Sequence, residues 1–416
     1  MHFIWKNRLF DPLLFLTASG ERVEVVHPGE YNNDSGPDFF NAKIRLGSTT
    51  WAGNVEVHLR SSDWLRHGHN SDRAYDNVVL QVVKNDDVRI CRTNGEPVPT
   101  VEIKYETKLF DNYCKLLESD LWIPCQNMIS RITTPAIELW LDRLAMERLE
   151  NKADRLLKNL RLNKNDWEET CYQQIARNFG LKLNGLPFEM LAKQTPLKII
   201  SKHKDSLTQI EALFFGQAGM LDEPEGDDYY ADLKREYNFL RHKFRLKPLG
   251  KHLWKFMRIR PSNFPTVRIA QFAALMQQTA GLFSRVIQSS GQGYLHELFN
   301  VTASTYWDTH YVFNRTSIRS KKKVGKVTVN LLLINTVVPL LILYGRFKDN
   351  KVYGEMALRL LKEMEAESNF VTNKWRELNF EIPDAFISQA FLQLKYEYCT
   401  PKKCLQCSIG STLIGK

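Results

Sequence analysis

Between residues 36 and 83 the chain gathers Asp38, Glu56, His58, Asp63, His67, His69, Asp72 and Asp76, the densest run of carboxylates and imidazoles in its 416 residues. Side chains of these two kinds hold divalent cations and move protons. What they can do together depends on which face of a strand each one occupies. Over residues 55–60, Val55, Val57 and Leu59 alternate with Glu56, His58 and Arg60. One face of such a strand is buried and the other presents an acid, an imidazole and a guanidinium. Over residues 39–46, Phe40, Ala42, Ile44 and Leu46 alternate with Asn41, Lys43 and Arg45.

The two runs read as a hairpin. With 47–50 as a four-residue loop, Leu46 pairs with Trp51, Ile44 with Gly53, Ala42 with Val55 and Phe40 with Val57, while Asn41 faces Glu56 and Lys43 faces Asn54. In this register Asp38 falls on the apolar side, and it reaches Glu56 only across a bend or bulge at Gly36-Pro37.

Pro37-Asp38, followed on the next strand by Glu56-Val57-His58, resembles the motif of the PD-(D/E)XK nuclease superfamily, with His58 in the place of the lysine. The resemblance implies Asp38 and Glu56 as ligands of a magnesium or manganese ion. It implies His58, or Lys43 on the same face, as the group that supports the attacking water or the charged transition state. The residues also carry a different chemistry. His67-Gly68-His69 would set two imidazoles on one side of an extended strand, so His67, His69 and Asp72 together with His58 form an alternative, zinc-type ligand set for a metallohydrolase.

Several longer segments share a wider resemblance: GPDF, GNVEVH, SDW-x-x-HGH-x-x-D-x-x-Y, Phe214-Phe215-Gly216-Gln217-Ala218-Gly219, Arg260-Pro261-x-Asn263-Phe264-Pro265 and the final cysteines. Together they resemble the bacterial family catalogued as domain of unknown function 2851, which implies a bacterial intracellular protein. Gln81 stands where that family leads one to expect a histidine.

The seven cysteines divide by spacing. Cys91, Cys114 and Cys171 are isolated in apolar or amphipathic stretches and read as core. Cys399, Cys404 and Cys407 form a C-x4-C-x2-C array, and a four-thiolate site needs one more ligand, for which Cys125 in Trp122-Ile123-Pro124-Cys125 is the candidate. Zinc is the favoured occupant and an iron–sulfur cluster the alternative. Either would staple the tail to the junction between two domains.

Composition bounds the rest. Hydrophobic residues at 43% and charged residues at 25% exclude a disordered or fibrous chain. A net charge of +10 with a pI near 9.1 favours an acidic partner, nucleic acid first. The first 16 residues lack a signal-peptide pattern, which points to the cytoplasm. The apolar run 327–344, interrupted by Asn330, Asn335 and Pro339, reads as a buried core helix and not a membrane span.

Strand-like runs at 22–27, in the hairpin and at 78–83, 88–92 and 101–105 precede a helix at 108–117. Beyond Pro124 helical spacing takes over. The expected fold is α+β, with a strand-rich, restriction-endonuclease-like domain over 1–125 and a large irregular all-α region over 126–416. The segment 254–265 interleaves cations with aromatics and reads mainly as a packed turn, with nucleic-acid stacking as the second reading. The nuclease resemblance and the charge lead to a metal-dependent nuclease, active or degenerate, acting on DNA or RNA. A non-catalytic nucleic-acid-binding or scaffold protein and a histidine-based metallohydrolase are the alternatives.

Overall fold

A computed structural model describes residues 1–416 apart from Leu13, Asn33, Ser290 and Lys416. The fold is α+β, with a mixed sheet at the N-terminus and helices through most of the remainder. The chain divides into two compact units, one of Met1–Trp140 with Lys395–Lys416 and one of Leu141–Leu394. The division lies beyond the expected one at 125/126 because a single helix, Thr134–Leu162, runs through it. The change in composition at Pro124 therefore precedes the change in packing. The C-terminal tail belongs to the first unit, where Ile409, Leu413 and Ile414 are buried and the Asn112 amide donates to the Ile414 carbonyl at 3.4 Å.

The first unit begins with helix α1 (His2–Lys6), followed by strands β1 (Val23–His27), β2 (Glu30–Tyr31), β3 (Phe39–Leu46) and β4 (Thr49–Arg60). After the short helix α2 (Asp63–Arg66) come β5 (Val78–Asn85) and β6 (Thr100–Glu102). The sheet order is β1-β3-β4-β5-β6, with β2 also on β3. β1, β3 and β4 are antiparallel, and β4, β5 and β6 are parallel. Residues 78–83 of β5 are all buried, as befits an apolar strand covered on both faces. The run at 88–92 forms only an isolated bridge, Cys91 to Pro97, and the last strand is three residues long.

One face of the sheet is apolar. Phe39, Ala42, Ile44, Val55, Leu80, Val82 and Val101 pack there with Trp5 and Phe15. Trp5 is fully buried because its indole N–H has a partner, the Pro28 carbonyl at 2.9 Å.

The hairpin forms with a tighter turn than expected. Leu46 pairs with Thr49, so the loop is Gly47-Ser48, and Gly47 takes the positive φ of +56° that the first residue of a two-residue turn can require. The register therefore moves by two: Ile44 faces Trp51, Lys43 faces Ala52 and Ala42 faces Gly53. A bulge then interrupts the ladder between Phe39 and Ala42, with Asn41 at φ +56°. Phe39 turns inward opposite Val55 and Phe40 turns outward, the reverse of the simple alternation. Asp38 consequently shares a face with Glu56. The bulge that allows this lies at residues 40–41 and not at Gly36-Pro37.

Gly53 permits the close approach of β4 to the segment leading into β5. A Cβ there would stand 2.6 Å from the Asn77 carbonyl and 2.4 Å from Val79 Cγ1. Gly53→Ala is expected to destabilise the protein by about 1–3 kcal/mol, measured as a lowered melting temperature.

Among the described residues the second unit is helical apart from a two-stranded ribbon, His310–Val312 with Arg315–Thr316, and isolated bridges. Its helix Lys326–Lys348 is long and apolar enough to cross a membrane by length and composition, but 72% of its most apolar window is buried in the protein. That burial is what a core helix shows. In segment 254–265 the Trp254 indole donates to the Ala218 carbonyl at 2.7 Å and Phe256 meets Phe264 edge-on, so its aromatics pack inward.

Candidate metal centre

Four side chains from two consecutive segments converge above the polar face of β4. Glu56 and His58 stand two apart on that strand, so both face the same way. α2 then reverses the chain, and Gly68 at φ +76° makes the sharp turn after it. His67 and His69 flank this glycine. They are set on a helix end and a following turn, not on the extended strand that the H-x-H spacing suggested, and the left-handed glycine aims both rings back at β4.

The nitrogens of His58, His67 and His69 lie within 4.8 Å of one another. His67 Nδ1 is 3.2 Å from His58 Nε2. Glu56 Oε1 is 3.4 Å from His58 Nε2 and 3.4 Å from His69 Nε2. Ions with bonds of about 2.0–2.1 Å hold tetrahedral ligands about 3.3 Å apart, so these separations suit one small cation. His69 Nε2 is buried without a hydrogen-bond partner, a lone polar atom aimed at its neighbours. His67 is exposed and leaves the group open on one side.

Burial dominates the electrostatics of the group. Burial, reinforced by the nearby Asp38 charge, pushes the Glu56 carboxyl up to about 8, against the hydrogen bond it accepts from the Asp38 N–H. Burial, with His69 and His67 close by, pushes His58 down to about 4, and burial with His67 lowers His69. Two imidazoles are thus neutral with lone pairs available, as metal ligands must be, and the carboxylate lacks a positive partner.

Asp38 sits beside this group and is held from two sides. Its Oδ2 accepts from the Val57 N–H at 3.0 Å and lies 3.0 Å from His2 Nε2. His2, at the start of α1, carries no motif that would have singled it out. Tyr75, which closes the SDW-x-x-HGH-x-x-D-x-x-Y segment, was given no role from sequence, and its ring stacks on His69 with centroids 3.7 Å apart.

Behind His58 stands Gln81, whose side-chain amide lies 3.0 Å from His58 Nδ1 and accepts at Oε1 from the Thr100 hydroxyl at 3.2 Å. Gln81 is paired with Glu56 across β4 and β5, so it occupies the row next to the site. As placed, the Gln81 Nε2 donates to Nδ1 and holds the ring with its proton on Nε2; the same amide turned over would present Oε1 to Nδ1–H and free Nε2 for a metal. Gln81→Ala is expected to weaken ion binding about 10–100-fold while the secondary structure persists, as measured by titration calorimetry.

Not every expected residue joins the group. Lys43 is exposed and faces Ala52, four residues along β4 from Glu56 or about 13 Å. The two-residue shift in register carried it away. Asp72 caps a turn by accepting from the Ala74 N–H at 2.9 Å, and Glu56 supplies the carboxylate in its place. Asp63 accepts from the Arg60 N–H and pairs with Arg66 at 2.8 Å, and Asp76 binds Thr93.

No curated protein and no solved structure matches the chain. Residues 1–370, which include every residue of this site, match the family model described as protein of unknown function (DUF2851), and the chain belongs to that family.

Proposed function

We propose that this protein is a metal-dependent hydrolase acting on nucleic-acid phosphodiesters, with its ion held by His58, His67, His69 and Glu56. The observation that carries the reading is the convergence of three imidazoles with a desolvated carboxylate oxygen 3.4 Å from two of them. Three nitrogens and one oxygen favour zinc, manganese or iron, whereas magnesium prefers an all-oxygen shell with several waters. This sets aside the magnesium expected from the nuclease motif and keeps manganese, with zinc or iron beside it. An ion in this position would acidify a bound water and polarise a phosphoryl oxygen.

The chain's own residues divide the remaining tasks. Glu56 supplies the negative charge that neutralises the cation, and Gln81 holds the His58 ring. His58 stays uncharged down to about pH 4, so it serves as a ligand and not as the fixed cation that a lysine would supply. Asp38, anchored on the Val57 N–H, presents its carboxylate beside Glu56 and orients an attacking water. Its pairing with Glu56 on one sheet face is the feature that resembles the PD-(D/E)XK superfamily, and with the +10 charge it favours a polyanionic substrate.

The test uses the full chain, stripped by chelation and reloaded with zinc, manganese or magnesium in turn. Single- and double-stranded DNA and RNA are supplied as substrates. Cleavage is expected with zinc or manganese. Absence of cleavage with every ion and substrate overturns the enzymatic reading, and salt-sensitive binding without cleavage would then favour the binding or scaffold alternative.

A further inference from the structure

Charge is spread unevenly along the chain. Residues 237–348 hold eighteen lysines and arginines against two carboxylates, Glu297 and Asp308, and residues 237–296 hold no carboxylate at all. All of this stretch lies in the second unit, whereas the imidazole group belongs to the first. So large a local excess of one sign sets up a field that draws anions.

Folding gathers part of this charge in one place. Arg268, on the helix Pro265–Gln278, is 4% exposed, and its guanidinium joins separate segments. Its Nη2 donates both to Asn263 Oδ1 at 2.6 Å and to Thr328 Oγ1 at 2.8 Å, and its Nη1 donates to Gln271 Oε1 at 3.0 Å. Gln271 in turn donates to the Lys322 carbonyl at 3.0 Å. Because Asn263 and Thr328 share one nitrogen, the loop before the first and the loop before the second are held side by side. The exposed Arg258 and Arg260 lie in one loop, and the exposed Arg319, Lys321 and Lys323 in the other. Each is within five residues of an anchored position, a distance of at most about 18 Å along the chain.

These charges stand without acids of their own. Among the described residues none of the five forms an ion pair, whereas the neighbouring Lys326 is paired with Glu365 at 2.7 Å. Glu297, which lines a recess with Lys323, offsets part of the excess. Beneath the surface, Arg268 donates to amide and hydroxyl oxygens. Lys322, 5% exposed, donates to the carbonyls of Ser320 at 2.8 Å and Asp308 at 3.4 Å and lies 4.0 Å over the Tyr311 ring. Neutral oxygens and a ring face satisfy the donors but leave the charge in place. Two buried cations under five exposed ones cost stability that an anion on this surface recovers.

The surface also restricts the kind of polyanion. Met257, 83% exposed, and Ile318, 92% exposed, emerge among the cations as single side chains and not as the face of an amphipathic helix, which a lipid interface would engage. The aromatic rings of segment 254–265 pack inward, so stacking on bases has no platform there. Contact with phosphates remains, and it carries no base sequence.

We propose that the loops at 258–260 and 319–323 form a docking surface for the phosphate backbone of a nucleic acid, held without regard to base sequence. The choice of nucleic acid among polyanions rests on the function proposed above. The surface itself needs neither the ion nor the imidazole group.

The experiment follows the binding of fluorescent single- and double-stranded DNA and RNA to the ion-free full chain, by anisotropy, as salt is raised. For wild type the logarithm of affinity should fall linearly with that of salt. Arg258→Ala, Arg260→Ala, Arg319→Ala, Lys321→Ala and Lys323→Ala should each reduce the slope by about 1, and the five together by about 4. Lys6→Ala and Lys115→Ala, at exposed positions of the first unit, should leave it unchanged. Circular dichroism checks the fold, and the single variants decide the matter should the combined one fold poorly. An unchanged slope in the folded variants, no binding of any nucleic acid, or binding to phosphatidylserine vesicles in place of nucleic acid would each overturn the surface. A cleavage assay separates the two readings. Cleavage by a protein whose binding ignores these five residues sinks the surface alone, and binding that requires them without cleavage under any ion sinks the enzymatic reading alone.

Discussion

Glu56→Gln is expected to abolish metal-dependent cleavage of nucleic acid and to weaken ion binding by at least about 100-fold, beyond the 10–100-fold that loss of an outer partner costs. Glutamine keeps the shape of the side chain and one carbonyl oxygen but cannot supply the negative charge that Glu56 brings to His58 and His69 at the 3.4 Å separations described. The fold should survive, because burial already disfavours the carboxylate and holds its proton to about pH 8. Melting of the metal-free variant should match wild type near pH 4 and exceed it increasingly as pH rises from 4.5 toward 8, because the unfolded wild-type chain ionises Glu56 and the folded one holds it protonated. Titration calorimetry and a cleavage assay read the two effects. Wild-type cleavage by a folded Glu56→Gln protein would remove the site from the mechanism.

Ion loading at pH 7 is expected to release about one proton per ion and to raise thermal stability strongly. Glu56, titrating near 8 in the fold, is mostly protonated at pH 7, while His58, lowered to about 4, is already neutral. A cation therefore displaces the Glu56 proton and little else from this pair. The heat of binding should vary between buffers in proportion to their protonation enthalpies. An ion at about 100 times its dissociation constant should add about 2.7 kcal/mol of stability.

Without the ion, the two groups act in opposite directions. The Glu56 pKa is raised from 4.5 in the unfolded chain, so its contribution is present below that pH and lost as pH rises toward 8. The His58 pKa is depressed from 6.5, so its contribution is present above that pH and lost as pH falls toward 4. The slopes oppose one another between pH 4.5 and 6.5, and the net loss appears on the alkaline side at about 1.4 kcal/mol per pH unit at most. Metal-free stability that rises from pH 6.5 to 8, or ion binding without proton release, would contradict this account.

Legibility differed sharply between neighbouring residues. Glu56 and His58 could be placed on one face because a strand has a period of two, but burial did not alternate with it: both are buried, and Leu59, expected inside, is 61% exposed. Asp38 could not, because its face depends on a bulge at residues 40–41 that pattern alone does not announce. Lys43 was drawn into the site by a four-residue loop, and a two-residue turn at Gly47-Ser48 removed it. Hairpin register is decided by the turn, and every residue along the strand inherits the choice.

The sequence by itself determined the α+β class, the buried helix at 326–348 and the polar face of β4, whereas of the three isolated cysteines read as core only Cys171 is buried and Cys91 and Cys114 are half-buried. The class, the helix and the polar face each follow from composition or from a local period that needs no distant partner. Only the tertiary structure decided that Glu56 and not Asp72 completes the imidazole group, that His2 reaches Asp38, that Gln81 stands behind His58, and that the tail closes the first unit. Those juxtapositions join residues from separate elements, and the bulge at residues 40–41, the left-handed Gly68 and the return of the tail after a whole helical unit set them. Such contacts arise from how the elements pack, which no local spacing encodes.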